Sequence, residues 1–187
     1  MIRNLVIRKK KPLQALKQLL KLSCLQTFSM EHSLQNIMLS YLNLYLLSCS
    51  FEISTTNRYT SIDEAAIIAR KDIEKGNIRF LYSILVGLRA EEGRELDETR
   101  RNFSVVETTC RNVTSLLLSP ARFLHHNCEP NAHLEPSGLG LKVVANRKIW
   151  TSEEITVEYS RGYFGERNQD CLYRTCRVNT CARQATR

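Results

Sequence analysis

Ala121-Arg122-Phe123-Leu124-His125-His126-Asn127-Cys128-Glu129-Pro130-Asn131 places two imidazoles, a thiol and two carboxamides within eleven residues. Pro130 holds that end of the stretch extended rather than helical. A His-x-Cys pair standing alone is more often a buried structural feature than a site. The residues downstream change that weighting. They run Glu153-Glu154-Ile155-Thr156, then Tyr159, then Tyr163-Phe164-Gly165-Glu166, then Cys171 and Cys176.

The rest of the 187-residue chain sets bounds on what this stretch can belong to. The length suits one domain with an appendage, and 43% hydrophobic residues are enough for an ordinary core. No apolar run approaches the roughly 20 residues that cross a bilayer. The start, Met1-Ile2-Arg3-Asn4, leads into basic residues rather than a signal-peptide core. An intracellular, non-membrane protein is expected. Seven irregularly spaced cysteines then point to thiols or metal ligands rather than a disulfide framework.

The net charge of +8 sits at the ends: residues 1 to 22 carry +7, residues 161 to 187 carry +4, and the middle carries −3. Two basic ends on a slightly acidic body suit a polyanion such as nucleosomal DNA, held by phosphate contacts and counterion release. Solvated ends would look the same. Arg8-Lys9-Lys10-Lys11-Pro12 matches a nuclear-localisation patch, and the acid-free, amphipathic start would equally suit a mitochondrial presequence.

Leu13, Leu16, Leu20 and Cys24 recur at helical spacing after Pro12, and a second helix is expected from Glu31 to Leu47 with Leu34, Ile37, Met38, Tyr41 and Tyr45 on one face. After Cys49 the texture changes to short β-prone runs at Phe51 to Ser54, Ala65 to Ala69, Phe80 to Val86, Phe103 to Glu107, Leu116 to Leu118, Leu141 to Ala145 and Ile155 to Val157. Lys75-Gly76-Asn77, Glu92-Gly93 and Ser137-Gly138 read as turns between these strands. The pattern is not an alternation of strand and crossover helix.

In order and spacing, the central motif and its downstream companions resemble the SET-domain protein lysine methyltransferases, whose signature runs Asn-His-x-Cys-x-Pro-Asn and then Glu-Glu-Ile-Thr-x-x-Tyr. The nearest likeness is to the histone H4 lysine 20 methyltransferases of fungal type. It is carried by Ser119-Pro120-Ala121-Arg122-Phe123, by Tyr163-Phe164-Gly165-Glu166, and by Phe51-Glu52-Ile53-Ser54-Thr55-Thr56-Asn57-Arg58-Tyr59-Thr60, so that it covers residues 40 to 176. The resemblance implies a mostly β fold with some α: several small curved sheets with a pseudoknot, behind an N-terminal helical layer. The domains expected are a basic helical segment over 1–48, the SET domain over 49–160 and a post-SET-like, cysteine-containing tail over 161–187.

The resemblance also implies roles. S-adenosyl-L-methionine would supply the methyl group and the protein alignment and desolvation. The accepting lysine must be neutral, against an unperturbed pKa of about 10.4, so an apolar aromatic channel favours it. Tyr159 matches the active-site tyrosine, and Tyr163 and Phe164 match the channel wall. Cofactor contacts fall on Tyr59, Thr60, Ser61, Ile62, Ala66, His125 and His126, with His125 standing where the family has asparagine. A zinc site would use Cys128, Cys171 and Cys176. Tyr173 stands at the remaining cysteine position and Cys181 is within reach as a fourth ligand. Ser119, Ser152 and Ser160 occupy glycine positions of the pattern.

The expected function is therefore histone-lysine methylation at lysine 20 of histone H4, on the histone tail in nucleosomes, in the nucleus on the chromosome, with DNA contact through the basic ends. The alternative is a catalytically weak SET module that binds chromatin or a protein partner, for which His125, Tyr173 and Ser160 are the evidence.

Overall fold

The computed structural model describes residues 32–57, 64–98, 104–108, 113–138, 140–159, 163–164 and 171. The expected helix over Leu13 to Cys24, the segment Tyr59 to Ile62, Ser160, Tyr173, Cys176, Cys181 and the basic ends lie outside these residues. Among the described residues no helix is long and apolar enough to cross a membrane.

The chain divides into two compact units. The first comprises Met1–Cys49, Arg79–Arg122 and Pro136–Lys142, and the second Ser50–Ile78, Phe123–Glu135 and Val143–Arg187.

In the first unit, helix α1 spans His32–Asn43. Among its described side chains Ser40 and Asn43 are buried, Ile37, Met38 and Tyr41 of the expected apolar face are half-buried, and Tyr45 beyond its end is exposed. Polar residues tolerate this burial because the helix's own carbonyls take up their donors: Ser40 Oγ donates to the Ile37 carbonyl at 2.6 Å, and Asn43 Nδ2 to that of Leu39 at 2.8 Å. The Asn36 carbonyl in turn accepts from the Tyr82 hydroxyl at 2.6 Å, tying α1 to strand β3 (Gly76–Gly87).

Glu92 and Gly93 do not form a turn. They lie in helix α2 (Ala90–Glu98), where the Glu92 carboxylate accepts from the Arg89 backbone N–H and guanidinium, each at 2.8 Å. An acid that closes back on the first-turn N–H groups starts a helix. That gain offsets the cost of about 1 kcal/mol for a glycine inside one.

Strands β4 (Val105–Thr108) and β5 (Val113–Leu118) pair antiparallel, and β5 pairs antiparallel with β3, Ile84 opposite Leu118. With β7 (Ala132–Ser137) and β8 (Gly140–Ala145) they form a five-stranded sheet of order β4-β5-β3-β8-β7. Strand β7 was not expected, because Pro136 inside the run argues against a strand. A Cβ on Gly140 would stand 1.9 Å from the Ser83 carbonyl oxygen, which reserves that position for glycine.

In the second unit, β1 (Phe51–Thr56) and β2 (Glu64–Ala69) pair antiparallel with Phe51 opposite Ala69. The segment 149–155 then runs along the other edge of β2. Ile155 donates to the Ile67 carbonyl at 2.8 Å, Ala69 to that of Glu153 at 2.9 Å, and Ser152 to that of Ala69 at 2.7 Å. Phe51, Ala66, Ile67, Ile149 and Ile155 are entirely buried there. The two-residue strands β6 (His125–His126) and β9 (Thr156–Val157) lie parallel, His125 beside Thr156 and His126 beside Val157.

Candidate active site

The β6–β9 pair brings the His-x-Cys motif beside the chain that leads to Tyr159. Asn131 holds the two together. Its Nδ2 donates to the Glu154 carbonyl at 2.8 Å and to the Glu153 carboxylate at 3.0 Å, and its Oδ1 accepts the Thr156 N–H at 2.9 Å. This buried carboxamide satisfies three groups across 25 residues of sequence or fewer and so ties the loop carrying Cys128 to the chain leading into β9.

Beyond β9, the Tyr159 hydroxyl donates to the Leu124 carbonyl at 2.6 Å. Its proton is committed, and the oxygen's lone pairs remain to accept from another group. Burial holds the hydroxyl's pKa well above the ordinary tyrosine value, with smaller contributions from Tyr163, Glu64 and Glu154. It stays a neutral phenol at physiological pH and is not a general base.

The rings of Tyr159, Tyr163, Phe164 and His126 form one cluster. Tyr163 meets Tyr159 edge-on at 5.0 Å and Phe164 at 4.8 Å, Phe164 stacks with Tyr159 at 6.0 Å, and His126 lies 4.9 Å from Phe164. Tyr163 is 56% exposed, so the cluster reaches solvent on that side. Such faces hold alkyl chains and attract ammonium groups.

His126 is fixed at both nitrogens. Its Nδ1 accepts the Tyr159 backbone N–H at 3.0 Å, so in the neutral ring the proton sits on Nε2, which lies 3.1 Å from Cys128 Sγ. Burial lowers its pKa, against an opposing pull from Glu158, and so favours that neutral form. His126, Cys128 and Cys171 place their ligand atoms within 4.8 Å of one another. With Nδ1 accepting and Nε2 protonated, His126 is not the ligand among them, and a metal here would rest on sulfur. Cys171 is a buried free thiol, whereas Cys128 is held in a disulfide. A disulfide and a zinc thiolate are alternative states of one sulfur, and reduction gives the ligating one. The residues fit zinc to that extent.

Of the residues expected to hold S-adenosylmethionine, three are described. Ala66 is wholly buried between strands, and its side chain offers no surface. His126 belongs to the aromatic cluster. His125 Nδ1 lies 2.7 Å from Oε1 of Glu154, whose side chain is 4% exposed. A buried carboxylate behind an imidazole suits a cationic group, and S-adenosylmethionine carries two, so the donor set fits on charge.

The family model for the SET domain matches residues 6–160. The chain belongs to the SET-domain family. Among curated proteins it is 38% identical over 185 residues to a histone-lysine N-methyltransferase SET9 of Phaeosphaeria nodorum, covering 94% of this chain and 28% of that one. It is 47% identical over 139 residues to the set9 protein of Emericella nidulans (73% and 22% covered) and 43% identical over 142 residues to that of Neurospora crassa (74% and 18% covered). The chain thus spans between 18% and 28% of the length of these relatives.

Within this SET domain the sequence pointed to Tyr159, Tyr163, Phe164, His126, Cys128 and Cys171, and the fold brings these together. It did not point to the Leu124 carbonyl, to Asn131 as the pin, or to Glu154 as the partner of His125. Asn131 lay inside the quoted motif. Glu154 lay inside the second quoted run, but its pairing with His125, 29 residues away, was not legible there.

Proposed function

We propose that this chain is a protein-lysine methyltransferase acting on histones, specifically on lysine 20 of the histone H4 tail in nucleosomes, in the nucleus. S-adenosylmethionine, when bound, supplies an electrophilic methyl group on its sulfonium. The Tyr159 hydroxyl carries the reading. Its proton is given to Leu124, so its oxygen accepts an N–H of the substrate amine and turns the nitrogen lone pair toward the methyl. Tyr163, Phe164 and the ring of Tyr159 wall the approach with low-dielectric faces, which disfavour the ammonium form and release the neutral amine. Both effects are alignment and desolvation, the contributions a protein makes to a displacement of this kind.

Lysine 20 of histone H4 rests on the likeness to the fungal enzymes and on the Tyr163-Phe164 stretch. The basic ends are assigned to nucleosomal DNA on charge. Zinc bound by Cys128, Cys171 and Cys176 would close the channel behind Phe164.

Methyl transfer from labelled S-adenosylmethionine to reconstituted nucleosomes, wild-type and with histone H4 lysine 20 replaced by alanine, tests the reading. Labelling of the first and not the second is expected. Tyr159→Phe should lower turnover by about 10² to 10⁴. No labelling of either nucleosome by the zinc-loaded protein, with intact cofactor binding, would favour the non-catalytic SET module.

A further inference from the structure

The Asn131 amide, which ties the Cys128 loop to β9, is held in one orientation from outside that pair. Its Nδ2 carries two protons, one given to the Glu154 carbonyl at 2.8 Å and the other to Oε1 of Glu153 at 3.0 Å. A carboxylate only accepts, so turning the amide over would set Oδ1 against Oε1, oxygen to oxygen. Oδ1 is thereby kept on the Thr156 N–H, 2.9 Å away.

Glu153 is oriented in turn by Arg147. Nη2 donates to Oε1 at 2.6 Å and Nη1 to Oε2 at 3.2 Å, while the Trp150 N–H donates to Oε2 at 2.9 Å. Two prongs set the plane of a carboxylate as well as its place. Burial opposes the charge on Glu153, but the bonds from Arg147, Trp150 and Asn131 outweigh it and hold the carboxyl below the usual glutamate value. The Arg147 side chain is 54% exposed, so this hold on the amide begins at the surface.

Thr156 opens the strand that leads into the site. Val157 accepts the Asn127 N–H at 2.9 Å and pairs with His126, and two residues on the Tyr159 N–H meets Nδ1 of His126 at 3.0 Å. We infer that Arg147 and Glu153 are positioning residues for Tyr159, acting through the Asn131 amide and β9. The inference rests on the methyltransferase reading. The Tyr159 hydroxyl must face the Leu124 carbonyl and the substrate amine together, and a misplacement of about 1 Å costs on the order of 10²-fold in rate. Arg147 and Glu153 thus act on turnover by where they put the tyrosine.

The test uses the full chain and its Arg147→Met, Arg147→Lys, Glu153→Gln and doubly substituted Arg147→Met, Glu153→Gln forms. Hydrogen exchange at the Thr156 amide is followed by nuclear magnetic resonance, and turnover is measured on reconstituted nucleosomes with saturating labelled S-adenosylmethionine. Arg147→Met and Glu153→Gln are each expected to speed Thr156 exchange and to lower kcat by about tenfold. The KM for nucleosomes should stay within about twofold. The double form should be no worse than either single one, since one line of contacts is cut at two points. Arg147→Lys returns the charge without the fork and should recover little of either loss. Additive losses in the double form, or full recovery in Arg147→Lys, would overturn the inference. A raised KM with kcat and Thr156 exchange unchanged would overturn it as well and make Arg147 a contact to the nucleosome. No methylation by the wild type, with Thr156 exchange still quickened in the variants, would sink the methyltransferase reading and leave Arg147 and Glu153 as structural residues. Methylation by the wild type with kcat unchanged in both single forms defeats this inference alone.

Discussion

The backbone N–H of Tyr159 donates to Nδ1 of His126 at 3.0 Å, which leaves Nε2 of the same ring to face Cys128 Sγ at 3.1 Å. One imidazole thus ties the main chain of the aromatic cluster to the sulfur cluster. His126→Phe would keep a ring against Phe164 and remove both nitrogens. The Tyr159 N–H would then lose its acceptor, at an expected cost of about 1–3 kcal/mol. Urea unfolding monitored by tyrosine fluorescence measures it. Stability equal to wild type would mean that the bond to Tyr159 contributes nothing.

Ser119 and Ser152 have φ values of 78° and 67°, the left-handed region in which an L side chain is strained. Ser119 is wholly buried, and its hydroxyl has no partner among the described residues. Ser119→Gly removes the strain and the unsatisfied hydroxyl together. Ser152→Gly, on the surface, removes the strain alone. Each should raise stability by about 1 kcal/mol, with the larger gain at Ser119, less the entropy that glycine returns to the unfolded chain. A fall in the denaturation midpoint for both would remove the strain argument.

Gly140→Ala has the opposite sign. Its Cβ would meet backbone at the Ser83 carbonyl oxygen, 1.9 Å away, where no rotamer change relieves the overlap. A loss of about 2–4 kcal/mol is expected, as for overpacking that shifts a strand. Thermal unfolding would show it, and an unchanged midpoint would mean that the sheet yields at this point.

Most strands were legible because alternating and β-branched runs such as Phe51-Glu52-Ile53 and Leu141-Lys142-Val143-Val144 carry their own period. Helix α2 was not, because Gly93 reads as a breaker and the acid that starts the helix acts through Arg89, a contact visible only once folded. β9 falls within the expected run Ile155 to Val157, whereas its partner β6 is two residues, too short for any period, and lies in the motif rather than in a β-prone run. The aromatic members of the site could be placed from spacing within a motif. The His125–Glu154 contact joins two motifs, and its distance in sequence says nothing of its distance in space.

Burial raises the Tyr159 pKa above the ordinary value of 10.0. In the unfolded chain the phenol would ionise near pH 10, while the folded protein keeps the proton. Above that pH the native state binds more protons than the unfolded one, so stability falls as pH rises; below it, the contribution is fully present. Absorbance titration near 295 nm should show one tyrosine of the wild type that ionises late, together with unfolding, and this late step should vanish in Tyr159→Phe. Ionisation of all tyrosines near pH 10 in the folded protein would contradict the burial argument.

Zinc in structural sites is four-coordinate, and Tyr173 stands where a thiolate would complete the set. Cys128 and Cys171 are near one another, and His126 is excluded as a ligand because its Nδ1 already accepts from Tyr159. A site built on Cys128, Cys171 and Cys176 therefore needs one more sulfur, and Cys181, five residues beyond Cys176, is the candidate. Both Cys176 and Cys181 lie outside the described residues. Reduced protein prepared without chelator should contain about one zinc per chain by elemental analysis. Cys181→Ser and Cys176→Ser should release it with equal ease, and each should loosen the chain around Tyr163 and Phe164, since binding free energy in a small metal-closed segment is folding free energy. Zinc retained by Cys181→Ser but lost from Cys176→Ser would assign the fourth position elsewhere. A stoichiometry near zero would remove the metal site and favour the non-catalytic SET module.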